Sequence, residues 1–295
     1  MRLAIATHNG LFLAEYDFEE NQLLSQQIGI GYYYGIGVHN GFLSVGRRVD
    51  PFSKESPTVF EIWNTDGLCL GTVQPSGEHG IQDVHQITAS DRGLYICDAY
   101  HNQIVYTPHD FSYTRTLPFH NDAIPNQLIN SIDVHGNDLF VVQHNRGEAP
   151  SEIIHLRHLE DDTFIICESY RLNVDGVHNI LFHKDRFYYC SSSTGSVCFI
   201  EPERFNTEVW EEKGIISVRT ALIREDQHIK GMAANPEQNL LIVGASDEGN
   251  LDDRFKSPAV LVFLELESLE YKTAFQLQDR FNKEAGNINE IRILD

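Results

Sequence analysis

The chain has 295 residues, with 22 Lys and Arg against 43 Asp and Glu, a formal net charge of −21, and 41% hydrophobic residues. So acidic a surface repels phosphate backbones and anionic lipid, which excludes nucleic-acid or membrane-surface binding as a main role. The length suits one all-β domain over 1–295 and does not require two.

At the N-terminus, Met1 to His8 lacks an extended apolar segment and a small-residue cleavage site, and His8-Asn9-Gly10 interrupts it. No run approaches the ~18 apolar residues of a membrane span. A cytoplasmic location is expected. Three strands follow from the alternation of apolar residues: Leu3 to Thr7, Leu11 to Tyr16 and Gln22 to Gln26.

A four-strand unit then recurs. It begins weakly at Tyr34-Gly35-Ile36. It is clear at Asp83-Val84-His85-Gln86-Ile87, followed by Leu94 to Cys97, Gln103 to Tyr106 and Tyr113 to Leu117. Further copies start at Ile129-Asn130-Ser131-Ile132, Gly176-Val177-His178-Asn179-Ile180 and Lys230-Gly231-Met232. The aligned positions Tyr34, His85, Asn130, His178 and Lys230 lie 45 to 52 residues apart, the period of a propeller blade. From Tyr34 to the next strand the spacing is eight residues, against nine in three other copies, so Tyr34 rests on the weakest register. Thr207 to Lys213 fits a helical turn or a strand.

The last strand, Asn287 to Ile293, reads as an inner strand with nothing after it, and the first thirty residues as three strands with no inner one. Pairing them closes the ring and hides two sheet edges. The expected fold is a six-bladed β-propeller. Cys69, Cys97, Cys167, Cys190 and Cys198 each lie in apolar runs and read as buried free thiols, with a Cys190–Cys198 disulfide the lesser alternative.

In a propeller the inner strands line a central channel. Equivalent positions therefore form rings: Tyr34, His85, Asn130, His178, Lys230 and Asn289, and two residues earlier Tyr32, Asp83, Leu128, Gly176, His228 and Asn287. Loops after the second strands add Arg47, Arg48, Asp98, His101, His144, Asn145, Arg146, Ser191 and Ser246 at the same face. The next positions, Ile36, Ile87, Ile132, Ile180, Met232 and Ile291, suggest an apolar floor under a polar mouth. Against a site stands the plain alternative of a water-filled channel, with the arginines paired to carboxylates such as Asp50 and Glu148. His39 and His135 fall in turns at the far face by register.

The strings Val84-His85-Gln86-Ile87, Gly93 to Ala99, Asn102-Gln103-Ile104, Pro125-Asn126, Asn130-Ser131-Ile132 and Ile229-Lys230-Gly231-Met232 resemble blades of NHL-type and senescence-marker-protein/gluconolactonase-like six-bladed propellers. The second half is also similar to a group of uncharacterised bacterial propellers. The resemblance implies an axial divalent cation held by Glu, Asn and Asp. Asn130 matches one amide, but His178 stands where a second Asn is usual and Lys230 where an Asp is usual, which argues against calcium. Peptidyl-hydroxyglycine lyases of similar architecture use three axial histidines on zinc; His85 and His178 match two, and His228 lies two positions from the third.

Three functions follow. The first is a metal-assisted hydrolase or lyase, with zinc, manganese or iron on His85, His178, Asn130 and Asn289 and with Asp83, Tyr34 or Lys230 moving protons. The second is metal-free acid–base chemistry with a histidine as base and Lys230 as electrostatic stabiliser, on a small anionic substrate bound by Lys230, Arg47, Arg48 and Arg146, with His228 and Asn287 as neighbours. The third is a module that binds a sugar, peptide or protein partner, with Ala245 to Pro258 as a lid, a docking loop or a solvated insertion. No phosphate loop, nucleophile elbow or HExxH motif occurs.

Overall fold

A computed structural model describes residues 1–75, 80–119, 127–145, 149–201, 213–217, 227–247, 251–278 and 283–294, without the side chains of 213–217, 227 and 251. The described residues form six four-stranded antiparallel sheets. Five are built in chain order. The sixth pairs the C-terminal strand Ile288–Ile293 with Arg2–Thr7, Gly10–Asp17 and Gln22–Ile30, with Ile5 opposite Ile291. This is the closed six-bladed propeller expected from the repeat. Lys213–Ser217 is the outer strand of the fifth blade, which settles the end of the ambiguous segment; residues 207–212 lie outside the described ones.

Adjacent blades stack through six apolar clusters, one at each interface. Phe12, Ile5 and Ile291 of the composite blade meet Ile242, Leu261 and Phe263 of the last blade, and Tyr33, Ile36 and Val45 meet Ala4, Ala6 and Leu11. Ile36, Ile87, Ile132, Ile180, Met232 and Ile291 all belong to these clusters and are at most 4% exposed. Each buried aliphatic side chain contributes about 1.5–3 kcal/mol. They are therefore not a channel floor, and that expectation is corrected.

The cause is local. Five inner strands break register where they enter the sheet: between Tyr34 and Ile36, Val84 and Ile87, Ile129 and Ser131, His178 and Ile180, and Ile229 and Met232. A bulge shifts the side-chain alternation, so residues on either side of it face differently. Gly231 has φ +83°, and a Cβ there would lie 2.8 Å from Ile288 Cγ2. Glycine is required at this bend. Backbone amides freed by the bulges are capped by the preceding blade: Ile132 N donates to Gln86 Oε1 (2.7 Å), Ile180 N to Ser131 Oγ (2.7 Å) and Gly231 N to Asn179 Oδ1 (2.7 Å). Below the mouth, Arg292 donates to Ile36 O, Ile87 O and Thr88 Oγ1, and Gln86 donates to the fully buried Glu290. The channel beneath the mouth is polar and bridged.

The cysteines divide. Cys97, Cys190 and Cys198 are buried thiols, whereas Cys69 and Cys167 are exposed on outer strands, contrary to expectation. Cys190 lies opposite Val197 and Tyr189 opposite Cys198, so the two thiols point to opposite faces of the sheet and into different clusters. No disulfide joins them. Among the described residues no helix is long and apolar enough to cross a membrane.

Candidate active site

The bulges hold the starts of the inner strands so that their side chains meet at one end of the channel. Tyr34, placed least securely by spacing, is at the centre. Its ring lies 5.4 Å from that of His85, and Lys230 Nζ sits 4.4 Å from its centroid. Arg48 lies 5.1 Å from the same ring and 5.0 Å from that of Tyr32. Each such cation over an aromatic face is worth about 1–2 kcal/mol when desolvated. His178 and His228 are 5.3 Å apart between ring centroids, and His144 is 4.8 Å from His178. Asn130, Asn287 and Asn289 are buried to within 2%.

A hydrogen-bonded relay, not anticipated from sequence, leads out of this cluster. The Asn287 carbonyl can only accept, so the 3.1 Å contact places the His8 proton on Nδ1. Nε2 is then an acceptor, and Tyr32 O–H donates to it at 3.0 Å. Tyr34 Oη lies 2.9 Å from Tyr32 Oη; Tyr34 donates there while its phenol is protonated and accepts from Tyr32 once ionised. Asn289 Nδ2 also lies 3.3 Å from His8 Nδ1, but its firm partner is Tyr33 O at 2.7 Å. The signal for His8 was present: Arg2–Thr7 is the second strand of the composite blade, so the loop after it belongs with Arg48 and His144.

Protonation follows from burial and charge. Burial lowers His85 to about 4 and His228 to about 3, with Lys230 adding to both. Burial also holds His8 and His178 well below the ordinary range. These imidazoles are neutral at neutral pH. Burial alone would raise the Tyr34 phenol, but Lys230 and Arg48 overrule it and the net direction is down. Burial raises Tyr32 well above the usual value, with Tyr34 adding to it. Lys230 itself is lowered, by burial first. Two neighbouring phenols are thus pushed apart, the pattern that separates acid from base.

Several assignments change. Arg48 donates to Asp83, whose carboxyl is held far below the usual range although burial opposes this; His85 and Arg48 overrule it, and since His85 is neutral, Arg48 is the counter-ion. Asp83 is therefore not a base at neutral pH, and at 3.6 Å it is too far from His85 Nε2 to fix that ring by a hydrogen bond. Arg47 is paired with Glu61 at 2.5 Å, which also accepts from Tyr33 and Trp63, so its guanidinium is committed to a neighbour other than Asp50. His101 is bound to Asp98 at 2.8 Å. His39 stacks on His109 (3.6 Å) and His135 bonds Asp133 at the opposite ends of the inner strands, as register required. Arg146, Glu148, Pro125 and Asn126 lie outside the described residues.

The insertion reaches the mouth. Helix Leu251–Arg254 is followed by Phe255, whose ring lies 5.3 Å from His8 and 5.5 Å from Tyr32. Asn287 N donates to Arg254 O at 2.9 Å, and Asn9 Nδ2 to Phe255 O at 2.6 Å, pinning this stretch over the channel. Arg254 adds a positive charge felt at His8, His228 and Lys230.

Arg48 Nε, His85 Nδ1, Asn130 Nδ2, His178 Nδ1 and the Oδ1 atoms of Asn287 and Asn289 are buried without a hydrogen-bond partner among the described residues. Buried polar atoms left this way are costly and point to a ligand or solvent. The donors suit a divalent cation poorly. Among the described residues no three His, Cys, Asp or Glu side chains are grouped to hold a metal ion, and Lys230 opposes positive charge at both His85 and His178. An anion suits the donors of this set, Arg48 Nε and Asn130 Nδ2, together with Lys230, while the two amide oxygens suit a hydroxyl or water.

No protein-family model and no curated protein matches this sequence. Solved structures do. The chain is similar to a protein from Lactobacillus plantarum (TM-score 0.65, 10% identity, covering 100% of this chain and 99% of that one). It is similar to a chain of a nidogen/laminin complex (TM-score 0.68, 10% identity, 98% and 97%). It is similar also to the periplasmic gluconolactonase PpgL of Pseudomonas aeruginosa (TM-score 0.58, 11% identity, 99% and 98%). At such identity the likeness establishes a shared fold.

Proposed function

We propose that the protein is a small-molecule enzyme that hydrolyses an ester or lactone of a small organic anion by metal-free acid–base chemistry at the channel mouth. The observation that carries this is Lys230. It is 4% exposed, makes no ion pair among the described residues, and stands over a tyrosine whose phenol it helps to acidify. Such an ammonium is poised for an anion. The fold shared with a gluconolactonase makes lactones and esters the first substrates to try.

In this reading Lys230 holds the anion and the neutral His85 and His178 orient it, while Arg48 stays paired with Asp83. Tyr34, as phenolate, takes a proton from water as the water oxygen bonds to the substrate carbonyl carbon. The C–O bond to the leaving group then breaks, and Tyr34 returns its proton to that oxygen. Tyr32, with one proton between acceptors 2.9 and 3.0 Å away, connects Tyr34 to His8 at the mouth. A positioned proton donor and acceptor contributes roughly 10²–10⁴-fold in rate.

The test is turnover on a panel of lactones and esters of small hydroxy acids, with Tyr34→Phe and Lys230→Met beside the parent and with chelator present. Turnover that survives chelator and falls at least about a hundredfold in Tyr34→Phe supports the reading. Loss with chelator, restored by zinc or manganese, returns the site to His85 and His178. Anion binding without turnover on any of the panel makes this a binding propeller.

A further inference from the structure

We propose that the substrate anion carries a short apolar tail, and that the tail occupies the cavity between Phe255 and the first two blades. This deepens the anion reading and rests on it. The cavity is about 240 Å³, below the ~300–1,000 Å³ of sites that hold a whole ligand, so it fits part of a molecule. Its inner wall is His8, Tyr32 and Arg48, the outer layer of the candidate site. Tyr32 and Arg48 also touch Tyr34, so a group seated there lies just across these two side chains from Tyr34 and Lys230.

The outer wall is apolar. Ile30, Val49, Pro51 and Phe255 line it, and the ring of Phe52 lies 5.7 Å from that of Phe255. Ile30 is 76% exposed, Val49 55% and Phe52 64%, on a chain of net charge −21. Exposed apolar side chains gathered beside a polar site mark a binding groove. The two arginines at the wall do not contradict this, because Glu61 and Asp83 neutralise them and their stems add apolar surface. Phe255 is held in place by the Asn9 side chain, whose Nδ2 donates to Phe255 O, and by the bond from Asn287 N to Arg254 O, so the wall is preformed. A sugar-like ligand, hydroxylated along its length, would leave this wall unmatched.

Calorimetry with unbranched carboxylates tests the idea without any need for turnover. Acetate, butyrate and hexanoate share one head. Burial of each methylene is expected to tighten binding about three- to fourfold, so hexanoate should exceed acetate by on the order of a hundredfold. Phe255→Ala should reduce that span to under about tenfold while acetate affinity stays unchanged. Ile30→Ser, at a position largely exposed to solvent, should reduce it by a smaller factor. If acetate and hexanoate bind alike, the tail proposal falls and the anion reading stands. An undiminished chain-length span in both variants places the tail elsewhere and overturns the proposal. Absence of binding by any of these carboxylates overturns the anion reading, and the tail proposal with it.

Discussion

Tyr34 and Lys230 come from the second and sixth blades, counting the composite blade first, and are 196 residues apart in sequence, yet the Lys230 ammonium lies 4.4 Å from the centre of the Tyr34 ring. With Arg48 at 5.1 Å, Tyr34 lies between two cations and is lowered although burial opposes it. Of the twelve tyrosines, Tyr34 should be the first to ionise as pH rises. Ultraviolet titration of the phenolate band checks this. Tyr34→Phe should remove the earliest step, and Lys230→Met should move it up by about one pH unit or more. An unaltered titration in Tyr34→Phe would show that the cations do not act on this phenol.

The relay makes a separate prediction. Tyr32→Phe interrupts the path from Tyr34 to His8 without removing a cation or an apolar surface. It should lower kcat about tenfold or more with KM little changed, because the path acts in proton transfer and not in binding. His8→Ala should be equally impaired, and added imidazole should restore part of the rate, since His8 lines the open cavity. Rescue of His8→Ala but not of Tyr32→Phe separates a missing proton carrier from a disturbed fold.

How the site was legible in sequence follows from these residues. The register brought Tyr34, His85, His178 and Lys230 to one height because equivalent strand positions repeat around the ring. Two kinds of information were out of reach. The bulges at Gly35, Asn179 and Gly231 shift the alternation, so Ile36 and its equivalents pack between blades and the channel below is crossed by Arg292. Charge pairing across strands is also invisible to spacing: Arg47 finds Glu61 and Arg48 finds Asp83, which leaves Lys230 as the cation for an anion. His8 was within reach, because the rule for loops after second strands applies equally to the composite blade.

The caps between blades should hold much of the ring's rigidity. Asn179 Oδ1 accepts from Gly231 N and Ser131 Oγ from Ile180 N, both buried. Removal of either acceptor leaves an amide unsatisfied, at a cost of about 1–3 kcal/mol. Asn179→Ala and Ser131→Ala should each lower Tm by several degrees. Asn179→Ala should also weaken anion binding, because Gly231 follows Lys230. Ser131→Ala, remote from Lys230, should not. Equal effects of both on binding would mean that the caps stabilise the ring without positioning the lysine.

Glu290 gives the pH dependence a sign that runs against that of the histidines. It is fully buried, its Oε2 has no hydrogen-bond partner among the described residues, and burial raises it to about 7, with Arg292 and Lys230 opposing. A carboxyl with a raised folded pKa binds its proton more tightly in the folded state. Its stabilising contribution is complete below the unfolded value of about 4.5 and is lost as pH rises through 7, a change on the order of 3 kcal/mol. His85 and His228, lowered to about 4 and 3, act the other way: the unfolded chain takes up protons below about 6.5, so stability falls as pH drops. The two windows overlap between about 4.5 and 6.5, where the contributions oppose each other, so the Glu290 part is read as a difference between parent and variant. In Glu290→Gln the histidine limb should remain and the Glu290 limb vanish, so the variant gains on the parent as pH rises from 5 to 8. Denaturant unfolding across that range measures the difference directly. A difference independent of pH would mean that Arg292 and Lys230 hold Glu290 ionised throughout, and that the channel floor carries a fixed ion pair in place of a titrating acid.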